Sequence, residues 1–157
     1  MTTKIDRETW TAVVNRTYEV EFDWIGIDRL GQIAVFSSFN KGFIPDKALL
    51  SFDKYKELDK LIDELPTITE AILCTRIKGD FKEWLSYSAK GLYGYDFQDA
   101  HREVRFGQYD LISKPEEPLT VTHIKTCDSV LQVVPFFDLV FGTYLSFNKL
   151  QLRENKN

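Results

Sequence analysis

One stretch of the sequence, residues 22–45, constrains the fold more than any other, because it predicts a β-hairpin near the start of the chain. Aromatic and β-branched residues dominate 18–27 and 32–38, a composition typical of strands. Between them, residues 28–31 read Asp-Arg-Leu-Gly, which favours a turn. Apolar and acidic residues alternate along the first strand, so we expect it to bury one face. The second strand is apolar on both faces, which predicts a position inside the sheet.

The rest of the chain mixes short helices with short strands. Ser51 is a suitable N-cap for a helix over 51–65, whose apolar residues recur at helical spacing. A second helix is expected over 80–91, where Asp80 and Glu83 have the spacing of a capping box. Further strands are expected at 92–97, 109–112 and 119–124, and one more short helix at 128–134.

These segments predict an α+β fold: a mainly antiparallel sheet with an N-terminal hairpin and two or three short helices packed against it. The 157 residues are 43% apolar, which is enough for one core, so residues 1–157 are expected to form a single domain. We expect Trp24 to be buried where the hairpin meets the first of the two longer helices, because its strand face is otherwise apolar.

Charge and composition exclude several partner classes. The net charge of −4 comes without a basic block, so neither nucleic acid nor a membrane surface is an expected partner. The N-terminal residues carry charges where a signal peptide needs an apolar core, which favours the cytoplasm. Cys74 and Cys127 have no metal-site spacing, and we expect both thiols to be reduced.

Residues with catalytic or metal-binding chemistry are few. The chain has only two histidines, and it lacks glycine-rich phosphate loops and nucleophile motifs, so no cofactor and no metal is expected. Asp96, Asp99, His101 and Glu103 form the densest polar run, which fits a hydrated loop better than a divalent-ion site. Asp23 and Asp28 could act as an acid–base pair, but they flank a turn, where Asp is favoured for its backbone contacts.

The hairpin also resembles a pattern found in small bacterial proteins of mostly unassigned function, some of them predicted immunity proteins of toxin systems. The resemblance rests on Phe22, Asp23, Trp24, Gly26, Asp28, Gly31, Ala34 and Phe36, and it extends to Gly91-Leu92-Tyr93, Tyr95-Asp96, Tyr109 and Pro115. It implies a common architecture more than a common activity.

Two functional hypotheses follow from the sequence. The first is a non-catalytic protein-binding domain, an immunity protein that neutralises a toxin with a basic cleft through exposed acidic and aromatic loops. Its candidate binding residues are Asp28, Arg29, Asn40, Phe43, Asp96, Asp99, His101 and Glu103. The alternative is a small-molecule-binding protein or enzyme whose pocket lies beside the hairpin, with Asp23, Trp24, Asp28 or His101 at its mouth.

Overall fold

A computed structural model describes residues 5–76, 78–97, 107–124, 128–143, 145–148 and 151–152. Over these residues the chain forms four helices and a six-stranded sheet, which confirms the α+β class. The helices are α1 Arg7–Asn15, α2 Phe52–Asp63, α3 Lys82–Ala89 and α4 Asp128–Leu131, with 3₁₀ turns at Asp46–Leu49 and Val121–His123. The strands are β1 Asp23–Ile27, β2 Ile33–Ser37, β3 Ala71–Leu73, β4 Tyr93–Phe97, β5 Tyr109–Pro115 and β6 Ser146–Phe147.

The strand order is β1-β2-β4-β5-β3, with β6 also paired to β5. The hairpin is regular: Asp23 lies opposite Ser37, and Ile27 lies opposite Ile33. Only β2 and β4 run parallel, so the sheet is mainly antiparallel, as predicted. Strand β2 lies between two others, which confirms its interior position.

The two faces of the sheet cover chemically different cores. Ala34 and Phe36 of β2 face a core rich in aromatic rings, whereas Ile33 and Val35 face an aliphatic one. This follows from the alternation of side chains along a strand. Helix α2 reaches both cores, because it gives Phe52 and Tyr55 to the aromatic core and Leu58 and Ile62 to the aliphatic one.

Trp24 is fully buried in the aromatic core, as expected. Its indole stacks on Phe36 with 4.1 Å between centroids, and its Nε1 donates to Tyr109 Oη at 3.1 Å. Phe22 makes the ring contact between the hairpin and α2, since it stacks on Tyr55 with 5.0 Å between centroids, and Tyr55 Oη also donates to the Asp23 carbonyl at 2.9 Å.

Strand β1 begins five residues later than the alternation predicts, at Asp23 rather than Tyr18. Tyr18 is 50% exposed. The reason lies just after the partner strand β2, where Phe39 and Asn40 adopt positive φ angles of 50° and 52° and turn the chain away. Ser38 N still donates to Phe22 O at 2.9 Å, but residues before Phe22 have no described strand to pair with.

Two other local predictions are wrong, and one is confirmed. Residues 119–124 form a 3₁₀ turn and a single bridge rather than a strand. No capping box opens α3, because Phe81 occupies the N-cap and Glu83 lies near Tyr87 instead. The N-cap of α2 is confirmed, since the Ser51 hydroxyl accepts from Lys54 N at 3.3 Å.

Candidate functional site

Asp23 and Glu83 both contact the Tyr87 hydroxyl where β1 begins, and the negative charge of Glu21 acts on both carboxylates. We call Glu21, Asp23 and Glu83 the acidic cluster. Glu83 and Tyr87 lie one turn apart on α3, so both side chains point to the same side. Tyr87 Oη donates to Asp23 Oδ2 at 2.7 Å and lies 3.5 Å from Glu83 Oε1. The Tyr87 hydroxyl thus connects Glu83 on α3 to Asp23 on β1.

The pKa of Asp23, the central member of the acidic cluster, is raised. Burial is the main cause, and with the negative charges of Glu83 and Glu21 it raises the pKa of Asp23 to about 7, against the opposing effect of hydrogen bonds from Tyr87 and Ser37. Burial, followed by Glu21, also raises the pKa of Glu83. Near neutral pH, Asp23 is therefore divided between its protonated and ionised forms.

No described lysine or arginine forms an ion pair with the acidic cluster. Its neighbour Glu19, by contrast, pairs with Lys41 at 2.8 Å. The cavity beside Asp23, between α2 and the hairpin, has a volume of about 10 Å³, which is room for a water molecule and for no organic ligand. What the cluster can bind is therefore a cationic group arriving from outside.

The sheet brings one predicted binding residue to the same end as the acidic cluster. Asp23 lies opposite Ser37, Ser37 opposite Asp96, and Asp96 opposite Asp110, so the four form a row across the strands. Asp96 is buried, with 9% of its surface exposed, and Asp110 accepts a hydrogen bond from the Ser146 hydroxyl. The other members of the predicted polar run, Asp99, His101 and Glu103, lie outside the described residues.

Asp28 was expected on an exposed loop, and that expectation is wrong, because it is fully buried. Its Oδ1 accepts from Leu30 N and Gln32 N at 2.9 and 2.8 Å. Its Oδ2 accepts from Gln32 Nε2 at 2.7 Å and from Phe141 N at 2.9 Å. Asp28 thus organises the hairpin turn, as Asp commonly does.

The suggested acid–base pair of Asp23 and Asp28 does not assemble. Asp23 begins β1 and Asp28 follows its last residue, so five residue steps of about 3.3 Å separate their Cα atoms by roughly 16 Å. A proton cannot pass directly between groups so far apart. Each aspartate has a separate set of partners.

The remaining predicted binding residues lie apart from the acidic cluster. Arg29 is exposed and pairs with Asp138 at 2.8 Å. Asn40 is buried, and its Nδ2 donates to Tyr18 O at 2.7 Å, so its expected exposure is also wrong. Phe43 packs against the aromatic core, and its carbonyl accepts from Tyr109 Oη at 2.8 Å. Asn40 and Phe43 therefore anchor the loop after β2.

A second candidate lies at the opposite end of the sheet, where an open cleft of about 360 Å³ adjoins the hairpin turn. Gln32 and Tyr93 contribute polar groups, and Lys114 and Glu116 contribute charges. Tyr93 Oη donates to Gln32 Oε1 at 3.1 Å, which connects the cleft to buried Asp28. Burial, then the charge of Asp28, raises the pKa of Tyr93.

Other chemistries find no support within the described ranges. No group of three or more His, Cys, Asp or Glu residues there is arranged to hold a metal ion. None of the helices described is long and apolar enough to cross a membrane. Cys74 is free and half-buried, as expected, and burial raises the pKa of its thiol; Cys127 lies outside the described residues.

Sequence reasoning missed the partners that define the acidic cluster. Glu83 was interpreted as part of a helix cap and Tyr87 was not singled out, although their spacing of four residues on a helix was a usable signal. The strand predicted at 109–112 did not reach Lys114, whereas β5 runs on to Pro115 and carries Lys114 into the cleft. The chain matches no protein-family model, no curated protein and no solved structure, so its function has to be inferred from this geometry.

Proposed function

We propose that the protein is a non-catalytic binding domain whose acidic cluster engages a basic partner protein, as an immunity protein would engage a toxin with a basic cleft. The observation that carries this proposal is that Asp23 and Glu83 share one hydroxyl partner, with the charge of Glu21 acting on both, and that no described lysine or arginine pairs with any of the three. Like charges held together raise the free energy of the unbound protein. A partner's lysine or arginine would remove that repulsion on binding.

The surroundings of the cluster favour a macromolecular partner over a small one. The adjacent cavity of about 10 Å³ admits no organic ligand, so contact would occur at the surface. Glu21 is exposed and Glu83 is half-buried, so a partner can reach both. The net charge of −4 would speed encounter with a basic protein through electrostatic steering.

A charge-matched pair of variants tests this proposal. Glu21→Lys with Glu83→Gln changes the acidic cluster, and Glu57→Lys with Glu117→Gln makes the same charge change at exposed sites elsewhere. The partner is captured from the native host with the wild type, and its affinity is then measured for all three proteins. We expect the cluster variant to bind at least tenfold more weakly and the control to bind like the wild type. Equal weakening in both variants would mean that only net charge matters.

The dependence of the binding affinity on salt, and the protons released on binding, provide a second test. Affinity should fall as salt rises from 0.1 to 1 M, where the Debye length shrinks from about 10 to 3 Å. A cation near Asp23 favours its ionised form, so binding at pH 7 should release up to about half a proton. Calorimetry in phosphate and in Tris buffers measures that proton. An Asp23→Asn variant that releases just as much would contradict the role of Asp23.

A further inference from the structure

The cleft at the turn end of the sheet has the size of a small-molecule site. Its volume of about 360 Å³ lies in the range of natural ligand pockets, roughly 300 to 1,000 Å³. Ile72, Val140 and Phe141 supply an apolar wall, but more of the lining surface is polar than apolar, which suits a charged ligand. This site is separate from the acidic cluster, because it lies at the opposite end of the strands.

The polar floor of the cleft is fixed by a chain of hydrogen bonds. Gln32 Nε2 donates to Asp28 Oδ2, so Gln32 Oε1 faces Tyr93 and accepts a hydrogen bond from its hydroxyl group. The Tyr93 oxygen is then left as an acceptor for an N–H group of a ligand. Gly142 lies against the same ring, since a Cβ there would come within 2.6 Å of Tyr93 Cε1. Both the amide and the phenol are thus held in place before any ligand arrives.

The cleft also presents one charge of each sign. Lys114 is half-buried and Glu116 is exposed, and neither forms an ion pair with a described residue. A purely anionic ligand would be attracted by Lys114 but repelled by Glu116, and a purely cationic ligand would meet the reverse. A ligand that carries both charges satisfies both groups.

We propose that this cleft binds a small zwitterion, a free amino acid with an apolar side chain. Its carboxylate pairs with Lys114, its ammonium group donates to Glu116 and Tyr93 Oη, and its side chain packs against Ile72 and Phe141.

Binding is tested with three zwitterions and two single-charge probes. L-alanine, L-leucine and L-phenylalanine cover a range of side-chain size, and 4-methylpentanoate and 3-methylbutan-1-amine carry one charge each on a leucine-like body. Titration to 10 mM is followed by amide chemical shifts of the full-length protein. We expect at least one amino acid to shift amides around Tyr93 and Gly142, and both single-charge probes to bind at least tenfold more weakly than leucine or the best amino acid.

Matched variants locate the two charges. Lys114→Met and Glu116→Gln should each weaken amino-acid binding at least tenfold, whereas Lys78→Met and Glu117→Gln, at exposed sites, should leave it unchanged. Because Glu116 is exposed, its variant tests the proposal even if Lys114→Met fails to fold. The proposal is overturned if none of the three amino acids binds, if a single-charge probe binds as tightly as the best amino acid, or if Glu116→Gln leaves the affinity unchanged.

Discussion

Asp23 and Asp28 lie at the two ends of the same short strand, and their surroundings are opposite in kind. Asp28 is fully buried, and backbone and amide N–H groups donate four hydrogen bonds to it. Asp23 is half-buried with hydroxyl donors, and the carboxylates of Glu21 and Glu83 lie nearby. The two aspartates thus have different surroundings, because four N–H donors satisfy Asp28 whereas Asp23 has hydroxyl donors and lies near two other carboxylates.

This difference gives the two ends of the strand separate proposed roles, fold stability at Asp28 and partner binding at Asp23. The turn end of β1 is satisfied internally, so Asp28 stabilises the hairpin and offers nothing to a partner. At the start of β1, no described lysine or arginine pairs with the carboxylates. Under the proposed function, a cationic group of the partner would relieve the electrostatic repulsion between them.

The largest expected effect comes from the residue between the two aspartates. Trp24→Ala should lower the free energy of unfolding by about 3 to 5 kcal/mol, because a fully buried indole and its hydrogen bond to Tyr109 are lost. Urea denaturation measures the loss. A midpoint equal to the wild type would show that the aromatic core does not support both ends of β1.

The next effect is a dependence of the free energy of unfolding on pH, and it comes from Asp23 at the start of β1. The unfolded pKa of Asp23 is near 3.8 and the folded pKa is about 7, so between these values the folded state holds more protons than the unfolded state. Stability should therefore fall as pH rises from about 4 to about 7, by up to about 4 kcal/mol.

Asp23→Asn is the control for this pH effect. The neutral amide should remove most of the decline and make the variant more stable than the wild type at pH 8. Urea midpoints at pH 4.5, 6 and 8 decide the matter. A wild-type stability that rises across this window would contradict the proposed environment of Asp23.

A smaller loss is expected at the turn end. Asp28→Asn keeps one oxygen acceptor but turns an NH₂ group toward Phe141 N or Gln32 Nε2, so donor faces donor in a buried site. The free energy of unfolding should fall by about 2 to 3 kcal/mol. The variant also tests the cleft, because Gln32 loses its hydrogen bond to the Asp28 carboxylate. An unchanged urea midpoint would show that the stability of the turn does not depend on that carboxylate.

The smallest expected effect is a change in the pKa of Asp23, and it distinguishes two tyrosines whose hydroxyl groups both donate to this residue. Tyr87 Oη donates to the carboxylate, whereas Tyr55 Oη donates to the main-chain carbonyl at 2.9 Å. Tyr87→Phe should raise the pKa of Asp23 by about one unit, because a hydrogen bond to the ionised form is lost. Tyr55→Phe should leave that pKa nearly unchanged. Carbon-13 NMR of the Asp23 carboxyl measures both, and equal shifts would contradict the assigned roles.

Much of the architecture followed from local chemistry. The hairpin, the interior position of β2 and the Ser51 cap were all predicted, because alternation, turn residues and cap residues act over a few positions. The position where β1 starts was not predicted, since it depends on where the chain turns after the partner strand, at Phe39 and Asn40. The length of β5 was missed for the same reason, because Lys114 and Pro115 are held in the strand by pairing with β3.

The candidate sites were less predictable than the fold. Asp96 was selected for its polar neighbours and does lie at the acidic end, but it is buried in the sheet. Asp28 was selected as a loop residue, and it faces inward. Burial of an aspartate depends on which donors surround it in space, and local sequence does not report those donors.

The α+β fold and its early hairpin could be predicted from local sequence, because periodicity and turn chemistry depend on residues a few positions apart. The contacts of Asp23 with Tyr87 and its proximity to Glu83, 64 and 60 positions further along the chain, arise only in the folded protein, as does the hydrogen bond from Phe141 N to Asp28, 113 positions away. Electrostatic and hydrogen-bond energies depend on distances of a few ångströms. Such distances between remote residues exist only once the sheet has formed.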